Sequence, residues 1–212
     1  MRLLAIDTAA DLCAASILDT DAGERGRHVL DLGKGHAEHL MAVIETALEE
    51  AGTAYADLGG VAVSVGPGSF TGVRVGVAAA RGLALALKIP AVGVTTLEAL
   101  AHEKRADNPG RPVIARIEAG RGQVYVAAFS SDGTPTFGPA ALDAQAAAAF
   151  IGKAGQDVVV ATGRTADISA YALIGAERLA GGTPAERPKP LYLREADARP
   201  QEAFALPRKD GA

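Results

Sequence analysis

The chain has 212 residues, 49% hydrophobic, 4% aromatic and 22% charged, with a formal net charge of −4, one cysteine and no tryptophan. That length suits one large or two small domains. A lone cysteine excludes a disulfide framework and cysteine-based zinc sites, and an acidic balance with few aromatic platforms argues against a nucleic-acid surface on this chain by itself.

Arg2–Thr8 (RLLAIDT), Leu12–Leu18 (LCAASIL) and Arg27–Leu32 are apolar strand candidates, the first two parted by the small turn Ala9-Ala10-Asp11. Short strands joined by tight turns predict an antiparallel meander. With no signal or transit segment ahead of the first strand, the cytoplasm is the expected location. His36–Ala51 reads as an amphipathic helix, with Leu40, Ile44, Ala47, Leu48 and Ala51 on one stripe, Glu38, Glu45 and Glu49 largely off it, and Gly52 as its stop. Val61–Val65 is a buried strand, ended by Gly66-Pro67-Gly68 because glycine admits positive φ and proline removes a backbone donor. Ser69 and Thr71 can cap a helix that nothing stops from Thr71 to Lys88, and Ala91–Val94 follows as a strand. Strand, glycine loop, helix and strand make a right-handed crossover. Thr95–Lys104 closes this half as a helix.

The polar run 106–112 (ADNPGRP) reads as a linker between an N-terminal lobe, 1–105, and a reduced C-terminal lobe, 113–212. In the second lobe Val113–Glu118 and Gln123–Phe129 form a hairpin, with Thr136–Phe137 as a third edge. Asp143–Lys153 is an alanine-rich helix and Asp157–Thr162 a buried strand. This half repeats the first in outline: meander, helix, parallel strand. From Gly181 on the chain reads as loop and flexible tail, apart from Pro190–Arg194, a last strand or docked extended segment.

In the Thr71–Lys88 helix the cations Arg74, Arg81 and Lys88 recur every seven residues on one narrow line, and every other position from Val73 to Leu87 is Val, Ala, Gly or Leu. A solvent helix spreads polar residues over about half its circumference. This one either lies between layers of its own domain or offers a protein contact surface. Val73, Val77, Ala80 and Leu87 suit the sheet, which leaves Val75, Ala79 and Ala86 for a partner. A membrane span is disfavoured, since a bilayer needs about 20 apolar residues and this run carries two arginines.

Two lobes of one strand order, each opening on a hairpin with an acid near its turn, resemble the actin, sugar kinase and Hsp70 architecture. That is an α/β fold of two actin-like, RNase H-like lobes, each a mixed sheet of antiparallel meander and parallel strands flanked by helices. More specifically, Ala5-Ile6-Asp7-Thr8, Gly66-Pro67-Gly68-Ser69-Phe70-Thr71-Gly72-Val73-Arg74, Gly82-Leu83-Ala84-Leu85, Gly93-Val94-Thr95-Thr96-Leu97, Val124-Tyr125 and Leu191-Tyr192-Leu193-Arg194 together resemble the TsaB (YeaZ) family. The resemblance implies a non-catalytic partner of its paralogue TsaD in making threonylcarbamoyladenosine, the modified adenosine 3′ of the anticodon in tRNAs reading codons that begin with A. It implies pairing with TsaD through first-lobe helices, with Leu40, Met41, Phe70, Arg74, Val75, Ala79, Arg81, Gly82 and Ala86 as the expected partner face. A homodimer through the same surface, an assembly with the ATPase TsaE, TsaC as a further candidate contact, and tRNA met only in the complex complete the implied partners; no membrane is among them. No cofactor is expected on this chain alone, and ATP or ADP is expected only through TsaD.

Other readings compete at particular residues. Gly66, Gly68, Ser69 and Thr71 could present amides to an anion at a helix N-terminus, but the P-loop Lys-Ser/Thr is absent and a structural or contact loop anchored by Phe70 is preferred. Asp7-Thr8 stands where relatives grip phosphate, followed by Ala9-Ala10 instead of Gly, Ser or Thr, which reads as a degraded site. His36 and His39 lack a third ligand, so helix-surface histidines are expected rather than a metal site. Cys13 reads as an inert strand thiol. The alternative function is a small-molecule acyl or phosphoryl transferase of the same fold using Asp7 or Glu118 as base.

Overall fold

The computed structural model describes residues 1–181 and 186–193. The Arg194 end of the extended motif and the tail beyond it lie outside these residues. The chain runs β1 (Arg2–Asp7), β2 (Leu12–Asp19), β3 (Gly23–Asp31), α1 (His36–Glu50), β4 (Leu58–Ser64), α2 (Phe70–Leu87), β5 (Ala91–Val94), α3 (Thr96–Ala106), β6 (Val113–Gly120), β7 (Gln123–Phe129), β8 (Pro135–Asp143), α4 (Ala144–Lys153), β9 (Val159–Thr162) and α5 (Ile168–Ala180). The expected meander, the amphipathic helix from His36, the apolar helix that follows the glycine loop and the crossover are all present.

The first sheet has order β3-β2-β1-β4-β5 and the second β8-β7-β6-β9, so the second repeats the first one strand short. In each, two antiparallel ladders form the meander, and β4 and β9 add in parallel to β1 and β6. This is the actin-like α/β arrangement expected from the two hairpins.

Two elements go beyond the sequence reading. The third strand of the second sheet spans nine residues rather than the pair Thr136–Phe137; Pro135 and Pro139 are tolerated because β8 is an edge strand. Residues 168–180, to which the periodicity assigns no element, form α5. Ile168, Ala170, Tyr171, Ala172, Ile174 and Gly175 of that helix are buried, so its apolar surface wraps too far round to show a stripe.

The helices interlock the sheets. α1 and α2 cover one face of the first sheet, α5 covers its other face against β1, β2, β4 and β5, and α3 lies on β6, β7 and β9 of the second sheet. One apolar cluster therefore runs from Leu3, Ala62 and Val92 through Leu97, Leu100, Tyr171 and Ile174 to Val113, Ile117 and Phe129. Gly175 permits the close approach of α5: a Cβ there would overlap the Cβ of Ala62 on β4. A second cluster under α1 and α2 holds Leu4, Ile6, Ile17, Val43, Ile44, Val61, Val63, Val73 and Val77.

Candidate functional site

The turn after β1 is closed by the loop that starts α2. Ser69 donates its backbone N–H to the Ala9 carbonyl at 2.6 Å, and Thr8 Oγ1 donates to the Gly72 carbonyl at 2.7 Å. Gly68 and Gly72 lie so close that a Cβ on either would overlap the carbonyl oxygens of Ala9 and Thr8 respectively. Ser69 then caps α2, its Oγ accepting from Gly72 N at 3.2 Å. The hydroxyl of Thr8 and the amide of Ser69, two groups that a phosphate would need, are thus used inside the protein. The Gly66–Gly72 loop is thereby packed against the β1 turn.

Asp7, at the end of β1, is 1% exposed. Its carboxylate accepts from Thr165 Oγ1 at 2.6 Å and from Ala9 N at 2.9 Å, and Thr165 in turn bonds the Tyr171 hydroxyl at 2.8 Å. Burial raises the Asp7 pKa above its usual 3.8, with hydrogen bonds from Ser64, Thr165 and Ala9 and the nearby His36 opposing the rise. The native state therefore holds this proton more tightly than the unfolded chain does. Its contribution to stability is complete below the unfolded pKa and is lost as pH rises through the folded value. Asp7→Asn is neutral throughout, so its melting temperature should gain on that of the wild type between about pH 4 and pH 7. A difference that stays flat across that interval would rule this out.

His36 corrects an expectation. It is buried, with Nε2 lacking a partner among the described residues, while His39 is exposed. The reason is periodicity: His36 stands four residues before Leu40 on the stripe that also buries Val43, Ile44 and Ala47. The two histidines thus occupy different environments, and no group of three His, Cys, Asp or Glu among the described residues is placed to hold a metal. Cys13 is buried in β2, its thiol pushed up to about 11 mainly by burial, as suits an inert thiol.

A cleft of about 780 Å³ separates the two hairpins, walled by Ala10, Asp11, Phe70, Glu118, Arg164 and Tyr192. Its exposed carboxylates already have partners, Asp11 with Arg164 and Glu118 with Arg116. At its mouth the Arg74 guanidinium lies 3.5 Å over the Phe70 ring and donates from Nε to the Tyr192 hydroxyl at 2.7 Å. Tyr192 belongs to the extended segment 186–193, anchored by the Leu191 amide on the Val65 carbonyl at 2.8 Å. No sequence signal pairs Arg74 with Tyr192, which are 118 positions apart.

On α2, Gly72, Val73, Gly76, Val77 and Ala80 are buried, close to the face assigned to the sheet, with Leu87 only half-buried. The opposite side exposes Phe70, Arg74, Ala78, Arg81, Gly82, Leu85 and Ala86; Leu85 is 79% exposed and Phe70 60%. Of the expected partner-face residues, Val75 and Ala79 are half-buried against the core, and Met41 on α1 is 44% exposed. Leu40 is buried at 2%, on the inward stripe of α1, and contributes packing rather than surface. The helix has the length and hydropathy of a bilayer span, yet its inner residues pack on β4 and cations line its outer side.

Residues 30–156 match the family model described as TsaD, tRNA N6-adenosine threonylcarbamoyltransferase. The tRNA threonylcarbamoyladenosine biosynthesis protein TsaB of Escherichia coli (strain K12) is 36% identical over 132 residues, 62% of this chain and 56% of that protein, so the match spans little more than half of that curated relative. An uncharacterized protein of Mycobacterium tuberculosis (strain ATCC 25618 / H37Rv) is 34% identical over 208 residues, 93% of this chain and 94% of its own length. Among solved structures, YeaZ from Pseudomonas aeruginosa superposes with a TM-score of 0.76 at 25% identity, covering 91% of this chain and 99% of that one.

Proposed function

The chain belongs to the TsaB (YeaZ) family, a branch of the fold that the TsaD model describes, and on that premise we propose that it serves tRNA threonylcarbamoyladenosine synthesis as a non-catalytic partner that binds and activates TsaD. The observation that carries the reading is the outer face of α2, where Phe70, Ala78, Leu85 and Ala86 stand exposed on a helix whose other side is already packed. Small residues at Ala78, Gly82 and Ala86 let a partner helix approach closely, and a large exposed apolar side chain such as Leu85 is a natural anchor.

The closed hairpin supports a scaffold over the alternative transferase. A base must reach its substrate, whereas Asp7 is buried and held by Thr165 and Ala9. Glu118 is paired with Arg116. In this reading TsaD performs the transfer to tRNA, TsaE joins as ATPase, TsaC supplies the activated threonylcarbamoyl group, and tRNA and ATP or ADP are met only in the cytoplasmic assembly.

Reconstitution tests it. With TsaC, TsaD and TsaE, modification of tRNA should require this chain, light scattering should report its complex with TsaD, and the chain alone should neither hydrolyse ATP nor modify tRNA. ATP turnover by the purified chain that disappears in an identically prepared Asp7→Ala variant would overturn the non-catalytic role, and an unchanged mass on mixing with TsaD would overturn the partnership.

A further inference from the structure

Phe70 and Arg74 stand one turn apart at the start of α2, both exposed, so their side chains meet on the outer side of the helix. The Arg74 guanidinium carbon lies 3.5 Å from the centroid of the Phe70 ring and 5.4 Å from that of Tyr192, and the two rings are 5.9 Å apart. The bond from Arg74 Nε to the Tyr192 hydroxyl, 2.7 Å long, fixes the plane of the guanidinium and leaves its Nη edge pointing away from the tyrosine. Arg2, Arg27, Arg116, Arg164 and Arg178 each meet an acid; among the described residues no acid pairs with Arg74.

Tyr192 is itself held from behind. Pro188 is buried beside Gly93, Leu191 packs half-buried on the cluster under α1 and α2, and the Leu191 amide bonds the Val65 carbonyl. Pro188 and Pro190 also fix φ along this stretch. The chain's C-terminal segment therefore delivers one tyrosine, 53% exposed, to the end of the outer face of α2.

An exposed arginine ordinarily samples many rotamers, and ordering it in a contact costs affinity. Here two rings and one hydrogen bond have ordered it in advance. The planar fork it presents matches a carboxylate or a phosphate. Nucleic-acid phosphates call for several cations together, whereas Arg81, the next cation on this side of α2, is about 10.5 Å along the axis and Arg164 across the cleft is paired with Asp11. Aromatic rings and an arginine beside the exposed Ala78 and Leu85 make the composition of a protein contact. We propose that Tyr192 is a positioning residue for capture of TsaD: with Phe70 it holds Arg74 ready for a carboxylate of that partner. The proposal rests on reading the outer face of α2 as the TsaD surface. It goes further in bringing a residue from the far end of the chain into that surface and in naming the chemistry it takes.

Titration of the full chain against TsaD tests it with Tyr192→Phe, which removes the hydroxyl and keeps the ring, Arg74→Ala, and the two together, each beside a thermal melt. Tyr192→Phe should melt with wild type and weaken capture by about threefold to tenfold, the loss expected when a side chain must be ordered on binding. Arg74→Ala should weaken it by about tenfold or more and should flatten its dependence on salt between about 0.05 M and 0.5 M. Because Tyr192 acts through Arg74, adding Tyr192→Phe to Arg74→Ala should change capture by less than about twofold. Wild-type capture by either single variant, an unaltered salt dependence in Arg74→Ala, a fall in capture that only tracks a fall in melting temperature, or a Tyr192→Phe loss of the same size without Arg74 would each overturn the proposal. So would an Arg74→Ala chain that captures TsaD normally and loses only tRNA from the reconstituted complex, which would assign the guanidinium to RNA. Leu85→Glu separates this from failure of the TsaD surface. If that variant loses capture while Tyr192→Phe and Arg74→Ala bind as wild type does, only the positioning role falls; if the wild type does not capture TsaD, both readings fall.

Discussion

Leu85→Glu should leave the chain folded and reduce capture of TsaD by about 100-fold or more. The side chain is 79% exposed on the outer side of α2, so in the free chain the new carboxylate is solvated and no packing is lost. In a dry contact the same carboxylate has neither water nor a partner. That costs a few kcal/mol, and each 1.4 kcal/mol is about tenfold in affinity. Ala79, on the line assigned to the partner by periodicity, is a poorer probe because it is half-buried against the core, where a carboxylate would disturb packing and docking together. The measurement is a pull-down or titration against TsaD beside a thermal melt. A folded variant that binds as tightly as wild type would remove α2 from the interface.

Gly72→Ala should be the most damaging single methyl group in the first half of the chain. Gly72 sits in the first turn of α2, and a Cβ there would overlap the carbonyl oxygen of Thr8, a backbone atom of a fully buried residue whose hydroxyl donates to the Gly72 carbonyl. A flexible side chain could swing away from the new methyl, but the end of β1 cannot. Overpacking of this kind costs about 3 kcal/mol, or about 10 °C in melting temperature for a chain of this size. Gly82→Ala is the internal control: nothing lies within 4 Å of its Cβ position, so alanine there should stabilise the helix by about 1 kcal/mol. Equal melting of the Gly72→Ala variant and wild type would show that the hairpin and the loop are not locked together.

The contrast between those two glycines marks what the sequence can disclose. Both stand in one apolar helix, and periodicity places Gly72 inward and Gly82 outward. It cannot say that Gly72 meets Thr8, 64 positions earlier, because that contact depends on the parallel pairing of β4 with β1. The meander, α1, α2 and the Ser69 cap are local patterns and could be read directly. Buried His36 was equally legible, since it continues the stripe of Leu40 and Val43; its polar side chain masks the pattern. α5 was hidden for the opposite reason. A helix that buries residues over most of its circumference shows no polar face from which a period could be measured. The Arg74–Phe70–Tyr192 stack joins a helix to a segment far along the chain, and nothing local marks it.

The placement of α5 also sets a timetable for synthesis. Leu3, Ala62 and Val92 have their inner face covered by a helix that ends at Ala180, although their own sheet is complete at Val94. A ribosome adding roughly 5–20 residues per second leaves that face bare for several seconds after the last of its strands has emerged. During that interval the nascent first sheet carries one covered side and one open apolar side, a surface suited to a chaperone and prone to sticking to a neighbouring nascent chain. The late half of the gene product thus acts as the lid of the early half, and a ribosome stalled between α3 and α5 would release a fragment with its strands in place and its core open to water.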